Sequence, residues 1–141
     1  MTAAELYPGF DLDCPAIKDP IEPGILPICD ALNALPSVHT LWSCEGHAGQ
    51  PSTPYVVFIA PQDLAFKVDG LLSPKAGGTG LEYNWRLIAS FRFDGSLQYI
   101  PEPCDVRLLD RGLRLFRLFG RKAMDKELRR LADLIVTLKT N

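Results

Sequence analysis

The sequence lacks a long hydrophobic run, and basic residues are almost absent from its first half. No apolar stretch approaches the ~18 residues that a membrane-spanning helix needs. The first residues, MTAAELYPGFDLD, lack the basic and then apolar order of a signal peptide. We therefore expect a protein without a membrane span, with the cytoplasm as its default location.

The scarcity of basic residues has a counterpart at the other end of the chain. Residues 1–63 hold one base, Lys18, against eight acids, whereas residues 107–130 hold nine bases and three acids. Opposed halves of this kind have two interpretations. Either an acidic part folds over a basic part, or a basic face is kept for an anionic partner.

Length and composition predict one globular domain. The chain has 141 residues, of which 47% are hydrophobic and 23% charged, and both values are ordinary for a globular protein. The 4 cysteines are expected to be free thiols, as is usual in the cytoplasm. We predict no metal site, because structural zinc sites usually combine two paired ligand motifs and this chain has only one Cys-x-x-His pair.

Hydrophobic periodicity predicts a proline-rich extended arm over residues 1–27 and an α+β domain over residues 28–141. We expect a mixed or antiparallel sheet of about four to five strands, packed by about three helices. The strands are placed near 38–43, 54–60, 81–93 and 96–100, and the helices near 28–35, 62–72 and 122–139. Asp94-Gly95 predicts a hairpin turn.

Four details of this prediction depend on single residues. Pro101 and Pro103 are expected to end the last strand, and Gly120 to break the basic helical stretch before residue 122. Asp125 and Arg129 are expected to form an i, i+4 ion pair. The inner side of the second helix is assigned to Leu64, Phe66, Val68, Leu71 and Leu72, and that of the last helix to Met124, Leu128, Leu131, Ile135 and Leu138.

The segment Ser43-Cys44-Glu45-Gly46-His47-Ala48-Gly49 lies between two predicted strands and carries the residues best suited to chemistry. Cys44 is a candidate nucleophile, with His47 as base and Glu45 or His39 to orient that base, if the thiol pKa of Cys44 is lowered. Cys44 could equally be a small apolar residue at a strand end. In a binding loop, Ser43, Glu45 and His47 would supply polar contacts, and the backbone of Gly46 and Gly49 would allow close approach of a ligand.

A second candidate surface lies on the C-terminal helical stretch. Its basic residues on one predicted face are Arg111, Arg114, Arg117 and Arg121. This face could bind phosphates of a nucleic acid or an acidic protein. The alternative is a solvated face, or one paired with the acidic half of the chain.

The residues around the loop are similar to a known family. Ile28 to Pro36, then Ser37-Val38-His39-Thr40, then Leu41-Trp42-Ser43-Cys44-Glu45-Gly46-His47 resemble the start of the tRNA wybutosine-synthesis methyltransferases related to wybutosine-synthesising protein three. That family has a helix ending in Asn-x-Leu-Pro, a strand with a threonine, and a Ser-Ser-Cys-Ser-Gly-Arg loop. The matching positions are Asn33, Leu35, Pro36, Thr40, Ser43, Cys44 and Gly46, and Trp42, Glu45 and His47 differ.

The resemblance implies an α+β fold and, in the family, N-methylation of a modified guanosine in tRNA with S-adenosylmethionine as cofactor. It adds Thr40 to the candidate ligand-binding residues. The first hypothesis is therefore a small protein that binds a small-molecule or nucleotide-like ligand at the loop, with methyl transfer as one activity. The second is a non-enzymatic interaction or regulatory protein that uses the basic helix against nucleic acid or an acidic partner. The sequence does not distinguish enzyme from non-enzyme, and it does not give the oligomeric state.

Overall fold

The structure is a computed structural model of the chain, and it describes residues 21–46, 53–73, 80–104 and 112–140. Residues 1–20 of the predicted N-terminal arm lie outside these residues, and its last two residues lie in the first helix. In chain order the elements are α1 (Leu26–Asn33), β1 (His39–Cys44), β2 (Tyr55–Ile59), α2 (Gln62–Leu72), β3 (Trp85–Phe91), β4 (Leu97–Pro103) and α3 (Gly112–Thr137). A short 3-10 turn, Leu138–Thr140, follows α3. The α+β prediction is confirmed.

The sheet consists of two antiparallel hairpins placed side by side, in the order β1-β2-β4-β3. The β1–β2 hairpin spans the candidate loop, and the β3–β4 hairpin turns at Asp94-Gly95 as predicted. Gly95 has a φ of +84°, and Asp94 Oδ1 accepts bonds from the Ser96 N–H and hydroxyl. The hairpins join at Phe58 opposite Tyr99, whose ring centroids lie 5.6 Å apart.

The three helices and one face of the sheet enclose the core. α1 packs against α3 and β1, whereas α2 packs against β3 and β4. The sheet contributes Val56, Phe58, Trp85 and Tyr99 to this core. The predicted stripe on α3 is confirmed: Met124, Leu128, Leu131 and Ile135 are buried, and Leu138 packs partly buried against them.

Phe66 is the exception among the predicted inner residues of α2, because it is 71% exposed. The buried face of α2 is formed by Leu64, Ala65, Val68 and Leu72. Since successive residues of a helix are about 100° apart, Phe66 falls on the opposite side from this face. The prediction placed Phe66 on the same side of the helix as Leu64 and Val68 because all three are large and apolar. The helical period instead puts Phe66 on the opposite side.

β4 runs through Pro101 and ends at Pro103, so the expectation that these prolines end the strand is wrong for Pro101 and confirmed for Pro103. Hydrogen bonds from the Arg92 N–H to the Ser96 carbonyl and from the Cys104 N–H to the Asn84 carbonyl show which residue pairs are hydrogen-bonded at the two ends of the hairpin. Because bonded and non-bonded pairs alternate, the nitrogens of both prolines face away from β3. Neither proline therefore removes a bond from the β3–β4 ladder.

The other differences concern where elements begin and end. α3 runs through Gly120 rather than breaking there, since a glycine costs a helix interior only about 1 kcal/mol relative to alanine and tertiary packing can offset that. β3 begins at Trp85 rather than residue 81. The Glu82 and Tyr83 N–H groups instead donate to the Glu127 carboxylate of α3, at 3.0 and 2.7 Å.

Candidate functional site

The described part of the loop is fastened to the rest of the molecule by Arg121 of α3. The Arg121 Nη1–H donates to the Gly46 carbonyl at 2.6 Å, and Nη2 lies 3.6 Å from Glu45 Oε2. Nε donates to Asp125 Oδ1, one turn further along α3, at 2.7 Å. We call Arg121, Glu45 and Asp125 the Arg121 cluster. It joins the acidic half of the chain to the basic half.

The turn before α1 completes this arrangement through its backbone. The Gly24 N–H donates to Glu45 Oε2 at 2.6 Å, and the Glu45 N–H donates to Glu22 Oε1 at 3.0 Å. A Cβ atom at Gly24 would collide with Arg121 Nη2 and Glu45 Oε2. A side chain at position 24 would therefore displace the ends of these side chains and disturb the Arg121 cluster.

Cys44 lies in surroundings that oppose its predicted role as a nucleophile. Burial raises the pKa of the Cys44 thiol above its ordinary value, and the negative charges of Glu22 and Glu45 raise it further. A bond of 3.4 Å from the Gly46 N–H to Sγ acts in the opposite direction but does not outweigh them. Since the thiolate is the reactive form, a raised pKa makes Cys44 less nucleophilic at neutral pH.

The other predicted ligand-binding residues make contacts within the fold. Burial raises the pKa of the Cys29 thiol in α1, and the Ser43 side chain near it acts in the opposite direction with a smaller effect. Thr40 makes a reciprocal pair with Asn33, in which the Thr40 N–H and the Asn33 amide each donate at 2.9 Å. This pair closes the turn between α1 and β1.

The described members of the predicted loop set contact different parts of the fold. Thr40 lies at the start of β1, about 13 Å along the strand from Cys44 at a rise of about 3.3 Å per residue. Ser43 contacts α1, whereas Glu45 and Gly46 contact α3. His47 and Gly49 lie outside the described residues.

The basic helical face is divided in the same way. Arg121 belongs to the cluster above, which supports the interpretation that the acidic half packs on the basic one at this point. Arg111 lies outside the described residues, and Arg114 and Arg117 lie in the part of α3 described by its backbone alone. Asp125 pairs with Arg121 instead of the predicted Arg129. The guanidinium of Arg121 also lies near Glu45.

A groove of about 450 Å³ runs along the exposed side of α3, beyond the Arg121 cluster. The described residues that line it are Lys122, Asp125, Lys126, Arg129, Arg130 and Asp133. Arg130 donates to the Gly80 carbonyl at 2.8 Å, and Asp125 is held by Arg121. Lys122, Lys126 and Arg129 are exposed, and no ion pair or hydrogen bond joins them to another described residue.

Residues outside the predicted set also shape these sites, among them Tyr55, Glu127 and Glu22. Tyr55 lies opposite Cys44 in the β1–β2 register, and pairing the two strands across the loop would have shown it. Glu127 is 3% exposed and accepts a 3.2 Å bond from Trp85 Nε1 as well as the two backbone bonds. The sequence does not distinguish Glu127 from the other charged residues of its helical stretch, and it does not distinguish Glu22 from the other acidic residues of the first half.

Comparison of the chain with protein-family models, curated proteins and solved structures finds no match. The resemblance to the wybutosine-synthesis methyltransferases therefore stays a prediction. Among the residues that the structure describes, no helix is long and apolar enough to cross a membrane. Within the same residues, no three histidine, cysteine or acidic side chains are grouped as metal ligands would be.

Proposed function

We propose that the protein is a non-enzymatic binding protein, and that the groove on α3 binds an acidic segment of a partner protein. The observation that carries the proposal is the row of three exposed bases, Lys122, Lys126 and Arg129, in a groove of about 450 Å³. Their spacing of i, i+4 and i+7 places them on one side of the helix. The row spans about 10 Å at a rise of about 1.5 Å per residue.

The arrangement of these bases has a cost for the free protein. Lys122 and Lys126 are a like-charge i, i+4 pair, and so are Lys126 and Arg130. Each such pair destabilises an isolated helix by about 0.2–0.5 kcal/mol. Asp125 and Asp133 offset part of this repulsion in the free protein, and carboxylates of a partner placed along the groove would offset more of it.

The two aspartates of the groove favour a protein partner over a nucleic acid. Asp125 and Asp133 lie among the bases, and they would repel a continuous row of phosphates. An acidic protein segment can place carboxylates against the bases and a basic or neutral residue against each aspartate. The chain also has a net charge of −2, whereas nucleic-acid-binding domains are commonly basic overall.

The loop residues give less support to an enzymatic function. Glu45 and Gly46 already contact Arg121, and burial raises the pKa of the Cys44 thiol. A catalytic loop normally keeps its reactive groups available to a substrate. We therefore interpret this part of the loop as a structural contact that holds the end of β1 against α3.

Fluorescence anisotropy with two labelled probes of equal charge, a peptide in which glutamates alternate with neutral residues and a single-stranded RNA, tests the proposal. We expect the acidic peptide to bind more tightly than RNA, because its neutral residues can lie against Asp125 and Asp133, and its affinity should fall as salt is added. The variant Lys122→Glu/Lys126→Glu/Arg129→Glu should lose at least about tenfold in affinity, equivalent to about 1.4 kcal/mol. Lys67→Glu, an exposed base on α2, is the matched control and should bind like the wild type.

Each contrary result has a definite meaning. Tighter binding of RNA, lost in the same triple variant, would replace the acidic protein partner by nucleic acid. Binding of neither probe, or equal binding by the wild type and the triple variant, would overturn the groove as the binding site.

A further inference from the structure

Within the described residues, β3 is one of the two edge strands of the sheet. Its outer edge has backbone N–H and C=O groups that could form hydrogen bonds with a further strand. The bonded pairs Arg92–Ser96 and Asn84–Cys104 fix the alternation along the β3–β4 hairpin. Because bonded and non-bonded positions alternate, every second residue of β3 directs its N–H and C=O away from β4. These residues are Trp85, Leu87, Ala89 and Phe91.

Within the described residues, β3 itself carries little of the usual protection against pairing. Edge strands are commonly shielded by proline, by lysine or by an inward charge, and β3 has the sequence WRLIASF. Its one charged residue, Arg86, donates to Glu102 of β4 at 2.6 and 2.9 Å. Phe91 is 79% exposed at the end of the strand, and Phe93 is 80% exposed in the adjoining turn.

We propose that β3 pairs with β3 of a second copy of the chain, in antiparallel register about Ile88, to form a continuous eight-stranded sheet. Pairing about Ile88 places Trp85 opposite the partner's Phe91, and Leu87 opposite the partner's Ala89. All four outward-directed residues of each copy then lie in hydrogen-bonded pairs. The contact is isologous, so it closes after two copies.

The side chains of β3 are compatible with this twofold arrangement. Ile88 meets its own copy, which places two apolar side chains together. Arg86 lies opposite the partner's Ser90, so no like charges face each other across the new ladder. The exposed Phe91 is brought beside the partner's Trp85. This self-complementarity favours a second copy over an unrelated strand, and it is independent of the groove on α3.

Sedimentation equilibrium of the full chain is the first test, and we expect a concentration-dependent shift from the monomer mass to twice that mass. Ala89→Pro should weaken the dimer at least about tenfold, because it removes an outward N–H without removing a bond to β4. Phe91→Lys changes an exposed side chain and should weaken the dimer without affecting the fold. Ala89→Ser is the matched control and should leave the mass distribution unchanged.

Cysteine cross-linking tests the register directly. In a non-hydrogen-bonded antiparallel pair the two Cα atoms lie about 4.5 Å apart, within the range that a disulfide requires. Under oxidation, Ile88→Cys should form a covalent dimer above the wild-type background. Ser90→Cys should not, because the two copies of residue 90 are about 14 Å apart along the ladder.

Three outcomes would overturn the proposal. The first is a wild-type protein that stays monomeric, which would leave the edge to a strand of another protein. The second is a dimer that Ala89→Pro and Phe91→Lys both leave unchanged. The third is a covalent dimer that forms through position 90 and not through position 88.

Discussion

Replacing Glu127 tests how α3 is attached to the sheet. Its carboxylate is 3% exposed and accepts three bonds, from the Glu82 and Tyr83 N–H groups and from Trp85 Nε1. The two oxygens share these bonds unequally. Oε2 accepts those from Tyr83 and Trp85, and Oε1 accepts that from Glu82.

The two substitutions Glu127→Ala and Glu127→Gln therefore differ in cost. Alanine leaves the buried Trp85 Nε1–H without an acceptor, at a cost of about 1–3 kcal/mol, while the partly exposed N–H groups regain bonds to water. Adding the lost contacts of the side chain, we expect about 2–4 kcal/mol for alanine. Glutamine can keep an oxygen at the Oε2 position and loses only the bond from Glu82, so we expect about 1 kcal/mol.

Urea unfolding followed by circular dichroism gives both free energies. Tryptophan fluorescence in a Trp42→Phe background reports the surroundings of Trp85 alone, and it should change in Glu127→Ala more than in Glu127→Gln. Lys126→Ala, an exposed neighbour on the same helix, is the control and should stay within about 0.5 kcal/mol of the wild type. Equal losses for alanine and glutamine would refute the assignment of the bonds to separate oxygens.

Three further predictions concern the loop and its contacts. Gly24→Ala should destabilise the fold by about 1–3 kcal/mol in urea unfolding, because the new methyl group enters the Arg121 cluster. Gly70→Ala is the control: no atom lies near a Cβ at this position of α2, so alanine should stabilise the fold by about 0.5–1 kcal/mol. A Gly24→Ala protein as stable as the wild type would contradict the close approach. Cys44 should react with iodoacetamide more slowly than free cysteine near pH 8. The reaction should be faster in Glu22→Gln, because this substitution removes a negative charge that raises the pKa of the Cys44 thiol. Peptide mapping by mass spectrometry measures both rates, and a fast wild-type rate would restore Cys44 as a candidate nucleophile. S-adenosylmethionine should give no thermal shift if the protein is a binding protein, whereas the methyltransferase resemblance predicts a saturable one, about 2.7 kcal/mol at 100 times the dissociation constant.

The parts of the fold that the sequence predicted are those that depend on local patterns. Leu128, Leu131 and Ile135 recur at helical spacing, and Asp94-Gly95 is a turn that its own residues determine. The strands on each side of the candidate loop were found for the same reason. Propensity and periodicity act over a few residues, so one sequence is enough to show them.

The site depends on contacts between residues far apart in the chain, which local patterns do not contain. Arg121 meets Gly46 across 75 positions, and Glu127 meets Glu82 across 45. Pro101 shows the same limit for backbone pairing, since its effect depends on which neighbour its nitrogen faces. Packing of an acidic part on a basic part was one of two interpretations of the charge asymmetry, which could not indicate Glu45 and Arg121 as a contact.

We propose the groove on α3, rather than the loop after β1, as the binding surface. The most direct test is a ¹H–¹⁵N correlation spectrum of the full chain, recorded as an unlabelled peptide of glutamates alternating with neutral residues is added. We expect the amide signals of residues 122–133 to shift, while those of residues 44–46 stay in place. Shifts confined to residues 44–46, with the α3 signals unchanged, would contradict it.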